Sequence, residues 1–201
     1  MDYFNFNDWD YNLVRLSGHP LRWDTMTPTE DIITERLHIH PLSDSDFSAL
    51  MGGIDKLEVQ MGITVTGEEP NEDFRLAIQW LALQMVVHPE EFPWWTVWHI
   101  RLRNEERTVG CLAFNGAPDD SGGVELAHAF VYPEYFDQGI MTEATGAMTN
   151  WALRQQNVLY VMAEIESWNL SAQRVLEKNG YSCYNKTEES FFYWKRKNSD
   201  R

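Results

Sequence analysis

Val124–Gln155 reads VELAHAFVYPEYFDQGIMTEATGAMTNWALRQ, and the parsing of this stretch decides the fold. Val124 to Tyr132 is apolar and aromatic enough for a buried central strand. A tight turn containing Gly139 follows. From about Met141 the residues Met141, Ala144, Met148, Trp151 and Ala152 recur at helical spacing and predict the buried stripe of a long helix. A strand that passes through a glycine turn into a helix makes an anion site. The first helical N–H groups have no intrahelical partner, and the helix dipole favours negative charge there. The ligand expected in this turn is therefore anionic.

Upstream, Leu37 to Leu42 reads as a strand, with His38 and His40 two apart and so on one face. Two histidines fall short of the three or four ligands a metal site needs, and no third stands nearby in sequence, so no metal is expected. Ser43-Asp44-Ser45-Asp46 has the form of a capping box and predicts a short helix to Met51, ended by Gly52-Gly53. Residues 60–70 read as a loop. Asn71 is placed to cap a helix reaching about Val87, with Phe74, Ala77, Ile78, Leu81 and Met85 facing the core. Trp95 to Leu102 and Thr108 to Phe114 predict an antiparallel hairpin around a charged turn. Downstream come a strand over Leu159 to Ile165 and a helix opened by Asn169 with Ala172, Val175 and Leu176 inward. Gly180 stands at a left-handed helix stop, before a closing strand pair over Tyr181 to Tyr184 and Phe191 to Trp194. This order predicts an α/β (α+β) domain, one mixed sheet with helices on both faces.

The 201 residues suit a single domain, and 43% hydrophobic with 13% aromatic content suits a globular one. A net charge of −15 excludes nucleic-acid binding and disfavours an anionic membrane surface. It fits a cationic partner such as an amine, or serves only solubility. No apolar run reaches the roughly 18 to 20 residues of a membrane span, and a cytoplasmic location is the default expectation. Cys111 and Cys183 fall in predicted strands and read as small buried residues. Residues 1–33 hold Tyr3, Phe4, Phe6, Trp9 and Tyr11. They predict an arm packed on the domain or on the second subunit of a homodimer, or else a partly ordered terminus.

Three blocks then carry a family resemblance. Pro133-Glu134-Tyr135 followed by Gly139-Ile140-Met141-Thr142-Glu143-Ala144 resembles the acyl-CoA pyrophosphate loop of the GCN5-related N-acetyltransferase (GNAT) superfamily. Asn169 through Arg174-Val175-Leu176-Glu177-Lys178 to Gly180-Tyr181 is similar to a helix of that family. Thr34-Glu35-Arg36-Leu37-His38-Ile39-His40-Pro41-Leu42 is similar to the opening strand of its RimJ/RimL-like branch. The blocks lie in family order over roughly residues 34 to 195. The resemblance implies one GNAT-like domain over 34–197, with a mixed, mostly antiparallel sheet of six to seven strands. It implies acetyl-CoA as acyl donor and direct attack by an amine, on a small molecule or a protein N-terminus. It also makes Met61 to Asn71 a lid over the acceptor pocket.

By resemblance the pantetheine arm lies between the central strand and the next, on main-chain groups of Phe130, Val131 and Tyr132. The diphosphate is expected on Asp137, Gln138, Gly139, Ile140, Met141 and Thr142, with Asn169 and Arg174 assisting. Asn169 reads equally as a helix N-cap. The loop departs from the family pattern. Phe136 stands where a Gln or Arg is usual, Asp137 where a Gly is common, and Met141 where a small residue is expected. Binding that is weakened but present follows, because main-chain N–H groups carry most of the hold on phosphate. The alternative is a non-catalytic, regulatory domain of the same fold. The tyrosine that protonates the thiolate in many members is Leu176 here, which leaves Ser171, Tyr181 or solvent as the acid. Glu125 is the expected general base and His128 the second candidate, since an unperturbed imidazole has a pKa of about 6.5. The segment Glu125 to Pro133 is one residue longer than the family's commonest spacing, and a bulge there would change which side chains face the pocket. A lysine amine of pKa near 10.4 is about 0.04% neutral at pH 7, an α-amine near 7.8 over 10%, so the α-amine tolerates a weaker base.

Overall fold

The computed structural model describes residues 30–62, 64–65, 72–105 and 107–197. Its strands are β1 (Ile32–Ile33), β2 (Leu37–Pro41), β3 (Thr64–Val65), β4 (Val97–Leu102), β5 (Arg107–Phe114), β6 (Gly123–Val131), β7 (Tyr160–Glu166), β8 (Ser182–Lys186) and β9 (Ser190–Arg196). Its helices are α1 (Asp44–Met51), α2 (Ile54–Met61), α3 (Glu72–Val87), α4 (Phe92–Trp95), α5 (Ile140–Arg154) and α6 (Leu170–Lys178). One sheet runs in the order β1-β2-β4-β5-β6-β7-β9-β8, with β3 beside β5. Among the described residues only β6/β7 and β3/β5 pair in parallel. The seven longer strands are those expected from sequence; β1 and β3 are two-residue additions.

Alternation along the strands makes two cores. Leu37, Ile39, Trp98, Ile100, Leu112, Phe114, Val124 and Leu126 face α5 and α6, where Ile140, Ala144, Met148, Ala152 and Leu176 meet them. Trp151 of the same α5 stripe packs its ring 4.9 Å from both Trp94 and Trp98, a large aromatic anchor for this core. On the other face, Val97 and Ala113 lie under Phe47 of α1, Leu57 of α2 and Leu81, Ala82 and Met85 of α3.

The Ser43 capping box forms: its hydroxyl accepts from Asp46 N–H at 3.3 Å, and the Asp46 carboxylate accepts from Ser43 N–H at 2.9 Å. Gly180 takes the left-handed conformation expected of it, φ +78°. Three expectations need correction. Residues 60 and 61, read as the start of a loop, instead close a helix over Ile54–Met61, which begins where Gly53 breaks the chain after α1. Trp95 ends a helical turn led by Phe92-Pro93, so the strand begins at Val97. Cys183 is exposed on β8, whereas burial pushes the Cys111 thiol up to about 12. The expected arm, apart from residues 30–33, lies outside the described residues, as do residues 63 and 66–71 of the expected lid, Met61 to Asn71, and the side chains of Phe74, Ala77 and Ile78. No described helix is long and apolar enough to cross a membrane.

Candidate active site

The central strand bends because it carries one residue too many. Cys111 faces Phe130 and Ala113 faces Ala127, so Leu112 alone opposes His128 and Ala129. This is the bulge that the long Glu125–Pro133 spacing suggested, and a bulge bends and twists the strand that holds it. Gly110, opposite Val131, permits the close approach: a Cβ there would lie 2.3 Å from the Phe130 carbonyl oxygen. β6 and β7 pair only at Gly123–Tyr160, Val124–Val161 and Glu125–Met162. Beyond these pairs β6 runs on to Val131 and β7 to Glu166, leaving a gap between them.

Main-chain direction around the gap follows from one bond. Tyr132 N–H donates to Val109 O at 3.0 Å, toward β5. Alternation then turns the main-chain groups of Phe130 to β5 as well, and those of Val131 toward β7. Of the three residues expected to line the gap with backbone, Val131 turns its main-chain groups to that side, and Phe130 and Tyr132 turn theirs to β5. The Phe130 side chain is exposed, with its ring 4.9 Å from that of Tyr132.

Above the gap, residues Pro133–Tyr135 form a 3-10 turn and the chain enters α5 through two left-handed residues, Asp137 at φ +59° and Gly139 at φ +74°. The family's glycine at position 137 thus has a conformational reason, and Asp is among the few other residues that accept it. Gly139 is the N-cap of α5 and has no side chain to cap with, so the N–H groups of Ile140, Met141 and Thr142 open the helix without one. Ile140 is buried and Met141 packs against the core, so both address a ligand through their backbone alone. Gln138 is exposed, its amide donating to Glu134 O at 2.8 Å. Phe136 is 56% exposed and brings no charge.

A cation reaches this loop from elsewhere. Arg36, in the turn between β1 and β2, donates from Nη1 to Gln138 O at 2.9 Å and from Nε to Glu143 Oε2 at 2.6 Å. Its Nη2 lies 3.6 Å from where a Cβ on Gly139 would stand. Glu143, in the first turn of α5, also accepts from Thr34 Oγ1 at 2.6 Å and from Arg36 N–H at 3.0 Å. Burial works to raise the Glu143 carboxyl, but the Thr34 and Arg36 hydrogen bonds and the Arg36 charge outweigh it and hold the group below its usual value. Sequence reading missed Arg36 because the contact spans 102 residues and depends on α5 crossing β2.

Glu125 is the last paired residue before the gap, on the face shared with Ala127 and Ala113 and hence with the α1–α4 side. It is half-buried, and Asn115 Nδ2 donates to its Oε2 at 2.8 Å. His128 lies in the bulge, with its side chain outside those described. Ser171 is exposed in the first turn of α6. Tyr181 is 5% exposed in the α5–α6 core, and its hydroxyl is 2.7 Å from Thr149 Oγ1. Burial pushes that phenol well above its usual range. A phenol held there packs helices together and is not presented to a leaving thiolate, which corrects its candidacy as the acid. Asn169 is the N-cap of α6, its Oδ1 accepting from Ala172 N–H at 3.1 Å, and Arg174 is exposed on that helix.

Known proteins share this fold. The family model described as an acetyltransferase (GNAT) domain matches residues 36–182. An uncharacterized N-acetyltransferase of Bacillus subtilis (strain 168), YjdG, is 30% identical over 135 residues, covering 67% of this chain and 79% of that protein. The ribosomal-protein-S5-alanine acetyltransferase of Vibrio fischeri superposes with a TM-score of 0.60 at 15% identity, over 84% of this chain and 97% of its own. RimL, a ribosomal L7/L12 alpha-N-protein acetyltransferase in complex with coenzyme A, gives a TM-score of 0.59 at 16% identity, over 83% and 98%. The two superpositions speak to the fold; the family model and the Bacillus relative speak to descent, and by them this chain belongs to the GNAT acetyltransferase family.

Proposed function

We propose that this protein is an N-acetyltransferase that moves the acetyl group of acetyl-CoA to an amine by direct attack. The observation that carries the reading is the gap between β6 and β7, closed at one end by two left-handed residues and a helix N-terminus. The gap fits an extended amide-bearing arm, and Val131 offers it main-chain groups. The open N–H groups from Ile140 to Thr142 fit a diphosphate, and Arg36 supplies the positive charge that Phe136 lacks. The donor brings the activated thioester. This chain's residues bind and orient it and handle the proton.

Glu125 is the base in this reading, held by Asn115 where the gap opens on the α1–α4 face. The proton returned to the thiolate comes from Ser171 or from solvent. The acceptor is an α-amine, on a small molecule or a protein N-terminus. Its larger neutral fraction near pH 7 asks less of a half-buried carboxylate than a lysine would. The alpha-N-protein activity in the name of one solved neighbour agrees with this choice, and a cytoplasmic setting goes with it.

The test is calorimetric titration with acetyl-CoA against free CoA, followed by thiol release over a panel of amines. Binding is expected, with turnover on α-amines. Glu125→Gln is expected to lower kcat by about 10²- to 10⁴-fold with donor affinity unchanged. Binding without turnover on any amine would favour the non-catalytic alternative, for which the uncharged Phe136 and the carboxylate of Asp137 argue. No binding would end both readings.

A further inference from the structure

The sheet face beneath α1 and α2 carries a polar cluster that acyl transfer does not use. His38 and His40 alternate with buried Leu37 and Ile39 on β2, so both rings stand on this face. The antiparallel register Ile32–Ile39 and Ile33–His38 brings Asp31 alongside them. Asp31 Oδ1 lies 2.5 Å from His40 Nδ1, and Asp31 Oδ2 contacts His38 Nε2. The three residues offer ligand atoms that all lie within 4.8 Å of one another. The side chains keep 24%, 35% and 35% exposure for His38, His40 and Asp31, so an ion has a way in. A cavity of about 240 Å³ adjoins them, walled also by Asp46, Met61 and Arg101.

We propose that Asp31, His38 and His40 bind a divalent transition-metal ion of the zinc class through two imidazoles and one carboxylate. A His-x-His pair on a strand presents two rings to one side, and the β1–β2 turn returns the third ligand that local sequence lacks. Imidazole with carboxylate suits zinc, cobalt and nickel better than magnesium or calcium, and three protein ligands leave a coordination position open toward the cavity. Bound there, the ion ties the segment entering β1 onto β2.

The protons dictate how the site loads. Arg101 Nη2 lies 2.8 Å from His38 Nδ1 and can only donate to it, so the neutral His38 ring carries its proton on Nε2, toward Asp31. An ion at Nε2 takes that proton's place and the proton moves to Nδ1, where it meets a donor. Arg101 must therefore let go, and its positive charge opposes the ion until it does. His40 likewise binds through Nδ1 and carries its proton on Nε2. Arg101 thus sets the affinity. An Arg101→Gln side chain would offer Nδ1–H a carbonyl acceptor, the usual partner of a metal-bound imidazole, and would remove the charge.

The experiment uses full-length, tag-free protein stripped with chelator, titrated with Zn²⁺ by calorimetry and with Co²⁺ by visible absorption. One ion per chain is expected, with a cobalt ligand-field band. Asp31→Asn and His38→Gln should each weaken binding by about tenfold or more, and Arg101→Gln should tighten it by a similar factor. No cobalt band in the wild-type protein, or unchanged Zn²⁺ affinity in the His38→Gln/His40→Gln double variant, would overturn the proposal. The gain expected of Arg101→Gln keeps the test sound even if a ligand variant folds poorly, since a damaged fold does not tighten a site.

Discussion

Asp137 holds a left-handed conformation at φ +59° and places a carboxylate in a loop read as the seat of a diphosphate. Asp137→Gly removes both the strain, about 1 kcal/mol for an L-residue, and the like charge. Calorimetry should show acetyl-CoA binding tightened by roughly three- to tenfold, and weaker binding would mean that the carboxylate helps. Arg36→Gln should act the other way. It strips the loop of its cation and leaves Glu143 uncompensated, so affinity should fall by roughly tenfold while kcat at saturating donor holds. Tyr181→Phe separates packing from catalysis. Loss of its hydrogen bond to Thr149 should cost about 1 kcal/mol in urea unfolding with turnover intact. A hundredfold fall in kcat would restore the phenol as the acid. At this scale the sequence spoke through Gly139, whose role is local. It was silent on Arg36, whose role depends on which strand α5 crosses, and misleading on Tyr181, because motif position does not report burial.

Among elements, the decisive one is β6. Its nine residues were legible as a strand from their composition, and the surplus residue was legible as a count, but where the surplus sat was not. The partner strand fixes that. Gly110 yields to the Phe130 carbonyl, so His128 and Ala129 share a place opposite Leu112. Gly110→Ala should destabilise the fold by roughly 1–3 kcal/mol in urea unfolding, as overpacking does, and should reduce acetyl-CoA binding with it. A neutral result would mean that the bulge moves freely. The joint between α5 and α6 is of the same kind. Asn179 Nδ2 donates to Thr142 O at 3.0 Å, and a Cβ on Gly146 would lie 2.5 Å from Asn179 Oδ1. Neither partner signals the other in sequence. α2 escaped notice because its eight residues, set between Gly53 and Gly62, are too few to show a clear helical period.

The order of elements over the whole molecule could be read because three motif blocks fell in family order and the strands stood out by their apolar and aromatic composition. Buried polar groups could not, since a histidine in a strand looks the same whether it is solvated or enclosed. His99 is 3% exposed and contacts Thr108; burial first, then the Arg101 charge, push its imidazole down to about 3. Its folded value lies below the unfolded 6.5, so the unfolded chain binds the extra proton as pH falls. The stability it contributes is complete above pH 6.5 and drains away toward pH 3, by up to about 1.4 kcal/mol per pH unit. Urea unfolding between pH 7 and 5 should therefore show a shallower loss in His99→Gln than in the wild type. Equal slopes would mean that His99 takes up its proton in the folded state.

The parting of β6 from β7 has one further consequence. Along that line the sheet is two leaves joined by three residue pairs, and β7, β8 and β9 form the smaller leaf. A molecule lying in the opening would act as a missing strand and fasten one leaf to the other. Occupancy should then slow amide hydrogen exchange on both sides of the seam, in residues 126–131 and 163–166, and stiffen the domain across its full width. The donor would thus be, for a time, part of the architecture that holds it.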